Sequence, residues 1–197
     1  AYVFPGQGAQ YCGMGKELYE NSVEARDMFE QANEILGFRI TDVMFEGTAE
    51  ELKQTKVTQP AVFLHSVVLA KVLGVEPSAV AGHSLGGSMA AAFAADSDIR
   101  FDGLVLLASY STADLSATEI DVISVYGTED GVLDMESYDK YISNLPSDTK
   151  ECIIAGGNHA GFGSYGKQEG DGEMLITPSQ QIEATMIFIT DWLNAIQ

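Results

Sequence analysis

The stretch Ala79-Val80-Ala81-Gly82-His83-Ser84-Leu85-Gly86, continuing through Gly87-Ser88 into Met89-Ala90-Ala91-Ala92-Phe93-Ala94, decides the fold. It opens on a short apolar run that predicts a buried strand and closes on a run that predicts a helix. The pentapeptide between them, Gly82-His83-Ser84-Leu85-Gly86, fits the pattern G-x-S-x-G. A chain turning this sharply from strand to helix tolerates only small neighbours, hence Gly82 and Gly86, and holds the serine in a strained conformation. The Ser84 hydroxyl then stands at a helix N-terminus, where the Leu85 N–H can stabilise a developing oxyanion. The pentapeptide alone is weak. The strand before it and the helix after it favour a nucleophile elbow over a merely tight turn.

Outward from the elbow, residues 1–4, 104–108, 121–126 and 151–155 are also short and nearly continuous in apolar character, as buried parallel strands are. With helices between them, they predict an α/β fold: a mainly parallel five-stranded sheet with strands in sequential order and helices on both faces. Right-handed crossovers put their helices on one face, so the last helix is expected on the other. That helix has a full start signature, with Thr177 as cap, Pro178 in the first turn, Gln180 reaching back, and Ile182, Met186, Ile189 and Leu193 following. Between the first two strands, Asn21 with Glu24 is expected to cap a helix with Val23, Met28, Phe29, Ala32, Ile35 and Leu36 near one face and Gly37 at its end. Thr48 with Glu51 predicts a shorter helix, and a longer one is expected to begin near Pro60 and run to Gly74. Residues 161–172 form a Gly-rich loop without periodicity.

At 197 residues the chain suits one domain, residues 1–197, large enough to need no covalent staple. Ten Lys and Arg against 29 Asp and Glu give a formal charge of -19, which repels phosphate backbones and anionic membranes. Neither nucleic acid nor membrane is expected as a partner; the plainer role of the charge is solubility. The longest apolar runs are too short to span a bilayer. Cys12 and Cys152 stand far apart in no ligand spacing, so free thiols in a reducing compartment are expected, with no metal and no cofactor. No targeting segment is visible, and the expected location is cytoplasmic.

A serine nucleophile needs a base, and the base an orienting carboxylate. His65 lies in an apolar helical stretch and reads as a packed residue, and His83, on the strand side of the elbow, is expected to point away. His159 lies in Gly156-Gly157-Asn158-His159-Ala160-Gly161, after the fifth strand, where α/β sheets place their sites. Asp130 follows the fourth strand in Gly127-Thr128-Glu129-Asp130-Gly131. The order Ser84, Asp130, His159 is that of an α/β-hydrolase triad, with Glu129 a rival for the acid. An ordinary turn carboxylate and a surface histidine are the plain alternatives.

Two resemblances cover different parts of the chain. Residues 1 to about 86 resemble the N-terminal part of malonyl-CoA:acyl carrier protein transacylases, through Phe4-Pro5-Gly6-Gln7-Gly8-Ala9-Gln10, Gly13-Met14-Gly15, Thr58-Gln59-Pro60-Ala61 and the elbow. The resemblance implies that Ser84 carries an acyl group and that Gln7 helps form the oxyanion hole. The chain departs from that family at Gly87, where the family has an acidic residue, and it has no Arg on the following helix and no room for the small subdomain that carries the family's histidine. Residues from about 82 to 197 are similar instead to the C-terminal half of an α/β-hydrolase family. Here the carriers are the elbow, Leu107-Ala108-Ser109-Tyr110, Tyr126-Gly127-Thr128-Glu129-Asp130-Gly131, Gly157-Asn158-His159-Ala160-Gly161-Phe162-Gly163, Tyr165-Gly166 and Gly170-Asp171-Gly172. This likeness implies Ser84, Asp130 and His159 as the triad. The chain reads as a hybrid joined at the shared elbow, by natural recombination or by engineering.

Three functions follow. The first is a serine hydrolase acting on small carboxylic esters or acyl compounds through an acyl-enzyme. The second is acyl transfer from a thioester to an acyl carrier protein. The third is a hybrid scaffold with little turnover, because a join that misplaces a catalytic group by about 1 Å can cost around 10²-fold in rate.

Overall fold

The computed structural model describes residues 2–6, 8–74, 77–163 and 166–196. Five strands form one sheet in the order β1 (Tyr2–Phe4), β2 (Ala79–His83), β3 (Gly103–Leu107), β4 (Asp121–Gly127) and β5 (Lys150–Ile154), every neighbouring pair parallel. The expected α/β architecture and sequential order are present, with strand ends within a residue or so of those read from the sequence. The register aligns Val80 with Leu104 and Leu104 with Val122, so each face carries a matched row of apolar side chains.

The chain gathers into two compact units, residues Ala1–Phe4 with Pro77–Gln197, and residues Pro5–Glu76. The sequence reading treats residues 1–197 as one domain. The second unit arises because residues 5–76, inserted in sequence between β1 and β2, bury a core of their own.

That unit is helical: α1 (Lys16–Asn21), α2 (Val23–Leu36), α3 (Ile40–Glu46), α4 (Ala49–Leu52) and α5 (Thr55–Val72). Met14, Phe29, Ile40, Met44, Leu52, Val62 and Val68 fill its core, and the rings of Tyr19, Phe29 and Phe45 meet edge-on or tilted. The expected capping box of Thr48 and Glu51 is formed, and Gly37 ends α2 at a φ of 71°. Other expectations for this unit are corrected. The cap of α2 is Ser22, whose extended backbone breaks the helix and whose hydroxyl accepts from Ala25 N–H; Asn21 still belongs to α1. The buried face of α2 is Ala25, Phe29 and Asn33, leaving Val23 and Ile35 exposed. Apolar spacing missed this face because its last member is polar: Asn33 is satisfied by the Thr41 hydroxyl and N–H. Pro60 lies inside α5 rather than at its start. The bond it forgoes is the one to the carbonyl of Lys56, an exposed residue in the helix's first turn.

In the other unit, α6 (Leu85–Asp96) and α7 (Met135–Tyr141) cover one face of the sheet and α8 (Pro178–Ala195) the opposite one. Phe93 of α6 meets Phe4 of β1 at 5.3 Å between ring centres, and Tyr138 of α7 bonds Ser124 of β4. On the far face, Trp192 of α8 packs with Val105, Ile123, Val125 and Ile154. Gly103 makes this possible, since a Cβ there would lie 2.7 Å from the Trp192 ring. The Thr177–Gln180 capping box and the first-turn proline of α8 are as expected. Among the described residues, no helix is long and apolar enough to cross a membrane.

Candidate active site

Ser84 stands between β2 and α6 at φ 55° and ψ -128°, a left-handed conformation that an L-residue adopts only under strain. The turn is tight because strand and helix touch: a Cβ at Gly82 would lie 2.1 Å from the Gly86 carbonyl oxygen. Ser84 N–H is held by the Leu107 carbonyl at 2.9 Å, which fixes the elbow to the end of β3. Leu85, the first residue of α6, has no intrahelical acceptor for its N–H. Gln7, the other expected oxyanion donor, lies outside the described residues.

The loops after β4 and β5 bring Asp130 and His159 together. His159 Nδ1–H donates to the Asp130 carboxylate, 2.9 Å from one oxygen and 3.0 Å from the other. Their side chains are 2% and 1% exposed for Asp130 and His159, respectively. Oδ1 of Asp130 also accepts the N–H groups of Val132 and Leu133, at 3.0 and 2.8 Å. Burial disfavours its ionised form, but the His159 bond and these two N–H groups outweigh burial and hold the carboxyl below its ordinary value. The rival Glu129 accepts instead from the Thr128 hydroxyl.

A carboxylate only accepts, so the neutral His159 ring carries its proton on Nδ1 and a lone pair on Nε2. Nε2 is buried and makes no hydrogen bond among the described residues. It therefore makes none to Ser84, although Ser84 and His159 line one cavity of about 190 Å³, with Leu85, Ser88, Ser109 and Tyr110. A catalytic bond that is loose without a ligand is common.

The base loop is pinned from α8. Gln181, fully buried, accepts from Asn158 N–H at 3.0 Å and donates to the Asn158 carbonyl at 2.8 Å. Gly157 and Gly161 press on it, and a Cβ at Gly161 would meet its amide oxygen at 2.1 Å. Sequence reading missed Gln181, whose contact spans 23 positions and leaves no local pattern.

His83 does not point away, and that expectation is corrected. It donates from Nε2 to the His159 carbonyl at 3.0 Å, and the two rings lie 4.6 Å apart. The reason is strand alternation, which sends residue 83 to the face opposite Gly82, where the His159 loop descends. Burial first, and the neighbouring His159 second, lower its pKa to about 4, so it is neutral. His65 is half-buried in α5 against Tyr11, and desolvation lowers its pKa. Among the described residues, no cluster of His, Cys, Asp and Glu could hold a metal.

Comparison with known proteins divides along the chain. The Alpha/beta hydrolase family matches residues 53–183. The malonyl CoA-acyl carrier protein transacylase of Bacillus subtilis (strain 168) is 46% identical over 89 residues, 44% of this chain and 28% of that protein. The polyketide biosynthesis malonyl CoA-acyl carrier protein transacylase BaeC of Bacillus velezensis is 37% identical over 130 residues, 64% of this chain and 44% of that protein. Among solved structures, an acyl carrier protein S-malonyltransferase from Vibrio cholerae is similar at 40% identity and a TM-score of 0.45, over 49% of this chain and 33% of that one. The chain spans less than half the length of these curated relatives. Its character is mixed, transacylase-like over part of its length and hydrolase-like over another.

Proposed function

We propose, from the premise that this chain belongs to the alpha/beta hydrolase family, that it cleaves small carboxylic esters or related acyl compounds through an acyl-enzyme on Ser84. The observation that carries the reading is the state of His159: Nδ1–H is committed to a buried carboxylate, and a buried Nε2, unbonded among the described residues, belongs to a ring lining the same cavity as the strained serine. That is the tautomer a general base needs.

In this mechanism Ser84 Oγ attacks the acyl carbon while Nε2 takes its proton. Negative charge moves to the former carbonyl oxygen, where Leu85 N–H donates; the transacylase resemblance assigns a second donor to Gln7. The intermediate collapses, the bond to the leaving group breaks, and the proton on Nε2 passes to that group. Water then repeats the sequence, giving Nε2 a proton, attacking the acyl carbon and releasing the acid as Ser84 recovers its proton. Asp130 stays ionised and holds the ring through both halves. The cavity of about 190 Å³ suits a short acyl group.

Acyl transfer to an acyl carrier protein is the second reading, favoured by the similarity to transacylases. Two features of the site weigh against malonyl transfer. A side chain at position 87, where that family has an acid, would place its Cβ 2.6 Å from Ser109 Cβ. Among the described residues, those lining the cavity include Asp134 and no Lys or Arg to pair a malonyl carboxylate. The test is to offer the protein p-nitrophenyl acetate, and separately malonyl-CoA with a holo acyl carrier protein. Release of acetate to water supports hydrolysis. A malonylated carrier without ester turnover overturns it, and neither reaction leaves the scaffold reading.

A further inference from the structure

Two loops carry the candidate acid and base; past the strand ladder, which ends at Gly127 and Ile154, the Glu129 N–H to the Gly157 carbonyl at 2.8 Å joins their first residues, and Gly131 and His159 lie beyond that bond. We propose that Asp171 is a positioning residue that locks these two loops in one register. The proposal rests on the reading of Asp130 and His159 as a catalytic pair. Asp171 Oδ1 accepts the N–H of Gly131, next to the acid, at 3.3 Å, and the N–H of His159 itself at 3.1 Å. Oδ2 accepts the N–H of Ala160 at 2.9 Å, and Oδ1 also takes the N–H of Gly172 at 2.9 Å. One carboxylate thus satisfies amides on both loops, and an anion makes such bonds shorter and stronger than a neutral acceptor would.

The fit around this carboxylate is close and independent of its charge. A Cβ at Gly131 would lie 2.4 Å from the Gly170 carbonyl oxygen, and one at Gly172 would lie 2.0 Å from the Glu129 carbonyl oxygen. Backbone therefore meets backbone where residues 170–172 cross the acid loop. On the other side, Asn158 of the base loop donates from Nδ2 to the Gly172 carbonyl at 2.9 Å. The segment is clasped from both sides, and Asp171 is the side chain that reads both. Removing its charge weakens the bonds that anchor the His159 backbone amide, and an NH₂ in place of Oδ2 opposes the Ala160 N–H, which loosens the base loop and with it the 2.9 Å bond to Asp130.

The experiment compares the parent with Asp171→Asn, which keeps the size of the side chain but turns one acceptor into a donor. Two quantities are read in folded protein: the rate of Ser84 labelling by a fluorophosphonate, and the far-downfield proton resonance of the His159 Nδ1–H bonded to Asp130. Labelling is expected to slow by one to two orders of magnitude, since a misplacement of about 1 Å costs roughly 10²-fold. The resonance is expected to shift or vanish, and kcat for p-nitrophenyl acetate to fall with KM nearly unchanged. If Asp171→Asn fails to fold, Asp171→Ser, which keeps a single hydroxyl acceptor, is measured in its place. A folded variant with the parent's labelling rate and resonance overturns the proposal. A parent that does not label at Ser84 instead refutes the serine reading, while the resonance still reports on Asp171.

Discussion

Replacing Asp130 by Asn turns one of the two oxygens that face His159 Nδ1 into a donor and can leave the bonds from Val132 and Leu133 in place. The amide oxygen can occupy the position of Oδ1 and keep the bonds from Val132 and Leu133 N–H at 3.0 and 2.8 Å. The NH₂ then replaces Oδ2, 2.9 Å from His159 Nδ1. Flipping the amide would strip both N–H groups of their acceptor at about 1–3 kcal/mol each, so the orientation is held by roughly 2–6 kcal/mol. Nδ1 then faces a donor at 2.9 Å and the amide oxygen at 3.0 Å; an Nδ1–H would oppose the NH₂, so the tautomer with the ring proton on Nε2 is favoured. A ring protonated there cannot take the Ser84 proton. Loss of the correct tautomer in this way costs about 10⁴ in kcat. The assay is p-nitrophenyl acetate hydrolysis, with near-UV circular dichroism and thermal unfolding to show that the fold is intact. A folded Asp130→Asn protein within tenfold of the parent rate would refute the reasoning. So would an equal loss in Glu129→Gln, which would give the acid role to Glu129.

Three further outcomes are expected. His83 is held at about 4 against an ordinary 6.5, so between those values the unfolded chain binds more protons. The stability from His83 is complete above pH 6.5 and lost as pH falls to 4, a share on the order of 3 kcal/mol. Asp130, also depressed, gives a term present above the ordinary carboxylate pKa and lost as pH falls through its folded value. Urea unfolding of parent and His83→Gln at pH 7, 6 and 5 should show a shallower pH dependence in the variant; equal slopes contradict this. Gln181→Ala leaves two buried backbone groups of Asn158 unpaired and should cost on the order of 2–5 kcal/mol in the same assay. Ser84→Gly should be more stable than Ser84→Ala by about 1–3 kcal/mol, because only glycine adopts φ 55° without strain.

The inner strands β2, β3 and β4 were legible because parallel strands buried on both faces carry continuous apolar runs, and the elbow because its glycines are forced by backbone contact at Gly82. Thr48 and Thr177 were legible as caps because a capping box is complete within four residues. What escaped was set by distant partners. α1, α3 and α7 are short, six or seven residues each, and too brief to build a periodic pattern. The turn of α2 followed Asn33, whose partner Thr41 lies across a loop. The direction of His83 depended on where the His159 loop would descend, 76 residues later. Asp171 stood out only as part of a Gly-rich motif, since its acceptors are satisfied by loops 11 to 40 residues away.

The central claim is that Ser84 is a nucleophile activated by His159 and Asp130, and covalent labelling tests it most directly. The protein is treated with a fluorophosphonate, digested, and the modified residue located by mass spectrometry, with Ser84→Ala alongside. The account expects one phosphonyl group per chain, on Ser84, and none on the variant. An unlabelled parent, or a variant labelled as fast as the parent, would contradict it.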